Sequence, residues 1–331
     1  MTNLTVTLNH DAAAELNSSL LGDVGASSTV LRRLVTSGRG KLAGVLLAIL
    51  AIIVVFGSML APDNPTTQNL AVVSLPPWLF GGTAGHLLGT DEYGRDILSR
   101  LLVGLRPSLL IGLGASTVGA LIGLTLGVVA GTSRRVLGPI ILRFAELELA
   151  LPFYIVAIAV VASIGPGLLQ LFILLTLWGW PTYARTIANQ VSRVRTLDFV
   201  SAARLAGSRP AQIMFRHVVP NVLAPTVVLW SGTIGYVIVA ESALDFIGLG
   251  LKSPAFSLGT MLTDAETQLG NSWAIVVFPG LLLALTIIAF NVLGDAVRDA
   301  LNPEMSAGKR TRRDRKRSTA EADSSFPAVT P

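Results

Sequence analysis

Charged residues are missing from five long stretches of this chain, and that spacing constrains its fold more than any other feature. Residues 42–62, 107–133, 149–184, 218–240 and 267–294 contain no Asp, Glu, Lys or Arg. About 20 mostly apolar residues, rising about 1.5 Å each, cross a hydrocarbon core about 30 Å thick. Every run is long enough to do so. The third is too long for one crossing, and Gly165-Pro166-Gly167 interrupts it with a strong turn signal. Six spans result, near 42–61, 107–131, 140–163, 168–187, 219–243 and 274–296. The third span starts before its uncharged run and carries Arg143, Glu146 and Glu148 in its first turns. The first is longer than the apolar core of a signal peptide and starts beyond residue 40, so it is expected to be retained.

Composition agrees. Of 331 residues, 51% are hydrophobic and 14% charged, against about 25% charged in a typical soluble domain. A soluble enzyme of this size would lack a polar skin. The net charge of +5 raises the question of nucleic acid, and the placement of the charges answers it. Basic residues cluster before span one (Arg32, Arg33, Arg39, Lys41), after span two (Arg134, Arg135), after span four (Arg185, Arg193, Arg195, Arg204, Arg209, Arg216) and after span six. The loops between are acidic or mixed. This alternation is the bias toward cytoplasmic Lys and Arg of a membrane protein with both termini inside, and no nucleic-acid partner is needed. The chain has no Cys, which excludes disulfides, thiolate metal sites and Cys nucleophiles.

The segment 196–217 between spans four and five is the most informative. Phe199, Val200, Ala203 and Leu205 form a short amphipathic turn, Gly207 breaks it, and a second helical piece runs over 212–219, with Pro220 at the entrance of span five. By itself this is either a lever on the cytoplasmic face or an amphipathic connector lying on the bilayer.

Several stretches carry a resemblance. Ala202, Ala203, Gly207 and Pro220 match the EAA loop of ABC-importer permeases, with Ser201 standing where that pattern has Glu. The segment LGTDEYGRDILSRLLVGLRPS (88–108), ALDFIGLG (243–250) and the final AFNVLGD with RDALNP resemble the C-type permease subunits of dipeptide, oligopeptide and nickel importers. The resemblance covers roughly 35 to 305. It implies an all-α, six-span type I importer (MetI-like) permease fold that carries peptides, or alternatively nickel, haem or another small solute. A secondary transporter ranks lower, because mid-span carboxylates on paired broken helices are lacking. Implied partners are a second, B-type permease subunit, two cytoplasmic ATPases, an external solute-binding protein and membrane lipid. Ser201, Ala202, Ala203, Arg204, Gly207 and Pro220 are the implied ATPase-coupling residues. No G-x-x-x-x-G-K-[ST] occurs, so the chain is expected to be non-catalytic, with no metal or cofactor of its own and with ATP and Mg in the partner ATPases.

The expected organisation is a cytoplasmic tail (1–40), a first span with an external loop and interfacial helix (41–106), a permease domain with the coupling loop near 196–217 (107–300), and a disordered basic tail (301–331). Thr90 and Asp91 are expected to cap the interfacial helix, with Asp96 and Arg100 on its polar face and Arg95 at the flank. Asp91, Arg95 and Asp96 then either dock the binding protein or brace span two. Glu146 and Glu148 either line the path or form an ion pair with Arg143 at its mouth. Glu241 and Asp245, one turn apart, either face substrate or mark the interface. His217 is expected to be solvated. The glycine ladder at 119, 123, 127 and 131 is expected to pack helices, with contact to a second permease subunit an option.

Overall fold

The structure is a computed structural model that describes residues 32–133, 135–252, 254–266 and 272–301. Most of both tails, including the expected disordered basic tail, lies outside the described residues, as does Arg134. The chain divides into two compact units, residues 43–294 and, together, residues 1–42 and 295–331. In the second unit Arg39 donates to Asp299 at 3.0 Å.

The described residues form helices joined by loops and turns, with one isolated β-bridge between Thr90 and Asp96. In chain order they form α1 (Gly38–Leu60), α2 (Ile97–Thr132), α3 (Leu137–Ala150), α4 (Phe153–Ile164), α5 (Leu168–Val194), α6 (Asp198–Leu205), α7 (Pro210–Phe246), α8 (Leu258–Glu266) and α9 (Ala274–Leu301). Helices α1, α2, α7 and α9 are long and apolar enough to cross a membrane, and the bent pair α3 and α4 supplies a fifth crossing when counted as one. The remaining expected span falls on α5, whose 27 residues are apolar in the first half and carry Arg185 and Arg193 in the second.

Three expectations change. The span near 140–163 is not one straight helix: α3 and α4 meet at 87°. Pro152 offers no N–H to continue the ladder and pushes Leu151 into an extended conformation with ψ 137°. The interfacial helix and span two are one helix of 36 residues that runs through Pro107. At about 54 Å it exceeds the hydrocarbon core, so its first turns stand outside. Ile97, Leu101, Leu105 and Leu109 form one continuous buried stripe across Pro107, in a cluster with Ile234, Ile238, Leu258 and Met261. That shared stripe carries the helix across Pro107, where the uncharged run begins. Span five likewise begins at Pro210 rather than 219.

The most extensive helix pairing joins α2 to α5. The glycine ladder makes it: a Cβ on Gly127 would lie 2.8 Å from Ala184 O, and one on Gly131 2.8 Å from Ala188 O. Lipid tails are as apolar as the helices, so close backbone approach and van der Waals contact must hold them together. The ladder is therefore used inside the chain and is not free for a second permease subunit.

Candidate functional site: the helix between the fourth and fifth spans

Helix α6 has eight residues and only Val200 is buried. Val200 enters a cluster with Val191 and Val194 of α5 and Ile213, Val218 and Val222 of α7. Ala203 packs at its edge, and the Phe199 ring lies 6.2 Å from the ring of His217. His217 is thus half-buried in α7 rather than solvated. Ser201, Ala202, Arg204 and Leu205 face outward. Leu205 is 89% exposed, and Phe199 is exposed as well, so the amphipathic turn turns only Val200 and Ala203 to the body.

Gly207 ends α6. Its N–H donates to Arg204 O at 3.1 Å and that of Ser208 to Ala203 O at 3.1 Å, the paired closure of a Schellman cap. The cap needs a left-handed residue, and Gly207 sits at φ +80°, where an L side chain costs about 1–2 kcal/mol. The chain then enters α7, whose residues Met214–Val218 form a π turn. Val219 N–H reaches back five residues to Met214 O, and Pro220 follows at once. Pro220 lies inside a continuous helix, not at its entrance. It cannot donate, and the wider turn before it accommodates the missing bond, as π turns near functional sites do. Arg195 fixes the base of the segment by donating to the last carbonyls of α2, Gly131 O at 3.0 Å and Thr132 O at 2.9 Å.

At the opposite end of α2 the charges are consumed internally. Asp96, not Thr90 or Asp91, is the N-cap, and it accepts from Ser99 N–H at 2.8 Å. Thr90 accepts from Leu75 N–H at 2.9 Å and donates to Val72 O. Asp91 accepts from Tyr93 N–H and Arg95 N–H, both at 2.9 Å, from Arg95 Nε at 2.6 Å and from Arg100 Nη1 at 2.7 Å. Arg95 and Arg100 each also donate to Asp264 of α8 at 2.9 Å. Arg100 is 3% exposed and Asp91 1%. The expected polar face of an interfacial helix is a buried ion network that joins the loop before α2 to α8.

Glu241 and Asp245 are both buried. Ser108 and Ser242 donate to Glu241 at 3.4 and 3.2 Å. Asp245 accepts from Leu251 N–H at 2.9 Å and from Ser257 Oγ, and its carbonyl accepts from Thr263. These bonds close the turn after α7 onto α8. Glu146 pairs with Arg143 at 3.3 Å, whereas Glu148 turns to the Trp180 indole, whose Nε1 donates to it at 3.0 Å. No group of three or more His, Cys, Asp or Glu able to hold a metal occurs among the described residues.

Comparison with known proteins places this arrangement. Residues 123–307, more than half the chain, match the family described as binding-protein-dependent transport system inner membrane component. The chain belongs to that family. It is a multi-pass permease component of the inner membrane. A di/tripeptide transport system permease from Pseudomonas aeruginosa (strain UCBPP-PA14) is 40% identical over 81% of this chain and 89% of its own length. A dipeptide transport system permease from Escherichia coli (strain K12) is 38% identical over 81% and 90%, and one from Bacillus subtilis (strain 168) 33% over 90% and 92%. The inward-facing methionine transporter MetNI has a chain of the same fold, with a TM-score of 0.52 and 21% identity over 60% of this chain and 95% of its own. The permease fold expected of a type I importer is therefore present.

Within this permease, Ser201, Ala202, Ala203, Arg204 and Gly207 lie together on one short helix and its cap. Pro220 stands apart, beyond the π turn. Asp91, Arg95 and Asp96 share the outer network, and Glu241 and Asp245 share the turn onto α8. Glu146 and Glu148 do not act as a pair. Sequence reasoning missed Asp264, Arg195 and Trp180, and placed Arg100 on a solvated face. Asp264 is 164 residues from Arg100, and no pattern in the sequence links them.

Proposed function

We propose that this permease is a subunit of an ATP-driven peptide importer, taking di- or oligopeptides across the membrane together with a second permease subunit. Two cytoplasmic ATPases bind ATP and Mg, an external solute-binding protein delivers the peptide, and this chain holds no cofactor and catalyses no reaction. Both termini are cytoplasmic, in keeping with the alternation of basic clusters. Peptide cargo is supported by the names of the relatives above.

The observation that carries the reading is the geometry of α6. One buried valine anchors it to α5 and α7, while Ser201, Ala202, Arg204 and a bare Leu205 point away from the chain. A short helix with one buried residue leaves the rest of its surface, Phe199 and Leu205 included, uncovered by its own chain and free for another protein. Docked in a groove of an ATPase, α6 moves with ATP binding, and Val200 passes that motion to the cluster at the ends of the spans. Alternating access follows, with hydrolysis resetting the inward-open state.

The test is peptide-stimulated ATP hydrolysis and dipeptide uptake by the whole complex in proteoliposomes. Gly207→Pro, or deletion of 199–207, is expected to abolish peptide-stimulated hydrolysis while the chain still inserts into the membrane. Unchanged coupling in either variant contradicts the assignment. Failure of the unaltered complex to take up any dipeptide contradicts the cargo.

A further inference from the structure

The break between α3 and α4 borders a half-open cavity that none of the roles above uses. Its volume is ≈ 490 Å³, and the walls come from Leu151 in the break and from α4 and α5, with Val156, Ile173 and Trp178 among them. That size falls in the range of small-molecule sites. One charged residue lines it, Glu148. The carboxylate is held on one side only: Trp180 Nε1 donates to Oε2 at 3.0 Å, while Oε1 is buried and has no hydrogen-bond partner. The nearest cation in sequence, Arg143, is turned to Glu146.

A carboxylate oxygen shut in apolar surroundings is costly unless a donor meets it. We propose that Glu148 docks the α-ammonium of the transported peptide as it passes this chain, with the apolar walls receiving its side chains. The inference rests on the peptide reading above. Every peptide with a free N-terminus carries such a group, and an ammonium on a carboxylate makes a charge-assisted hydrogen bond, stronger than a neutral one. The free oxygen gives the ammonium its acceptor, and Trp180 fixes the carboxylate's orientation. A lone basic side chain from another subunit would satisfy the oxygen but leave most of the cavity empty. The 87° bend at Pro152 is what opens room beside the carboxylate.

The experiment uses the complete importer in proteoliposomes with radiolabelled alanyl-alanine as probe. Glu148→Gln keeps the shape of the side chain and removes its charge. It is expected to lower the maximal uptake rate about tenfold, the equivalent of about 1.4 kcal/mol. The half-saturating peptide concentration, which the binding protein sets, is expected to stay constant, and Glu148→Asp to recover part of the rate. A Glu148→Gln complex with the unaltered maximal rate overturns the proposal. So does a variant that no longer co-purifies with the second permease, because Glu148 then serves a subunit contact or the fold. An unaltered complex that moves no alanyl-alanine defeats the peptide reading itself, and this inference falls with it; peptide uptake that is indifferent to Glu148 defeats the inference alone.

Discussion

The segments that adjoin the two ends of α2 carry similar residues and use them in opposite ways. At the N-terminal end Arg95 and Arg100 are locked between Asp91 and Asp264, all four within one network. Near the C-terminal end, Arg204 and Leu205 stand in the open on a helix held by one valine. Both segments resemble family motifs, yet only one leaves chemistry unspent. Where donors and acceptors are paired inside the chain, the motif builds a scaffold. Where an anchored helix presents unpaired apolar surface, the motif is offered to another protein.

The sharpest way to break this contrast is to cut the outer network. Removing one partner of a buried ion pair leaves an uncompensated charge, at a cost of about 3–5 kcal/mol. Asp91→Ala leaves Arg95 and Arg100 to share Asp264 alone, and a large fall in the thermal unfolding temperature or in the accumulated amount of protein is expected. Replacing both members, as in Asp91→Leu with Arg100→Met, is expected to recover much of the loss, because a packed apolar pair can substitute for a buried ionic one. If Asp91→Ala unfolds like the unaltered chain, the scaffold reading is wrong.

A smaller effect is expected at the seam between the two ends. Gly127→Leu forces a side chain between α2 and α5, where Ala184 O leaves no room. Overpacking of this kind costs typically about 1–3 kcal/mol. Thermal unfolding of the purified chain checks it, and an unchanged midpoint would mean that the ladder does not hold these helices together.

Smaller again is Gly207→Ala, which places a methyl group at φ +80° and costs about 1–2 kcal/mol in the cap alone. Its expected signature is weakened peptide-stimulated ATP hydrolysis with little change in unfolding of the whole chain. Ser201→Ala and Arg204→Ala lie at the bottom of the scale for stability, within about 0.5 kcal/mol as for most surface changes. Any loss of coupling in them then reports on the ATPase contact and not on the fold. A marked drop in their unfolding temperature would erase the distinction between scaffold and offered surface.

The membrane spans were legible because charge is so costly in hydrocarbon that its absence marks them directly. Breaks and continuities were harder, because prolines act through their context. Pro152 bends a span whose uncharged run hid it, and Pro107 sits harmlessly in a helix held on both sides by one apolar stripe. The glycine ladder was visible by its period of four, but a period does not name its partner, and α5 proved to be it. The outer network was least legible. Asp91 and Arg100 are near in sequence, but Asp264 reaches them only through the path of α7 and α8, so Arg100, which looked solvated, is in fact buried. For the coupling segment, Gly207 and the alanines were readable from the motif, whereas the exposure of Leu205 came only from the structure, since burial depends on what α5 and α7 leave uncovered.

The chain has no cysteine, so one introduced thiol reports on one place. Leu205 and Leu79 are exposed to a similar degree, 89% and 83%, the first on α6 and the second in the segment before α2. In the complete complex, Leu205→Cys is expected to form an ATP-dependent cross-link to a single thiol placed in the ATPase groove, and Leu79→Cys none. Equal cross-linking from both positions, or none from Leu205→Cys in a complex that still couples hydrolysis to peptide uptake, would contradict the claim that α6 is where the ATPase docks.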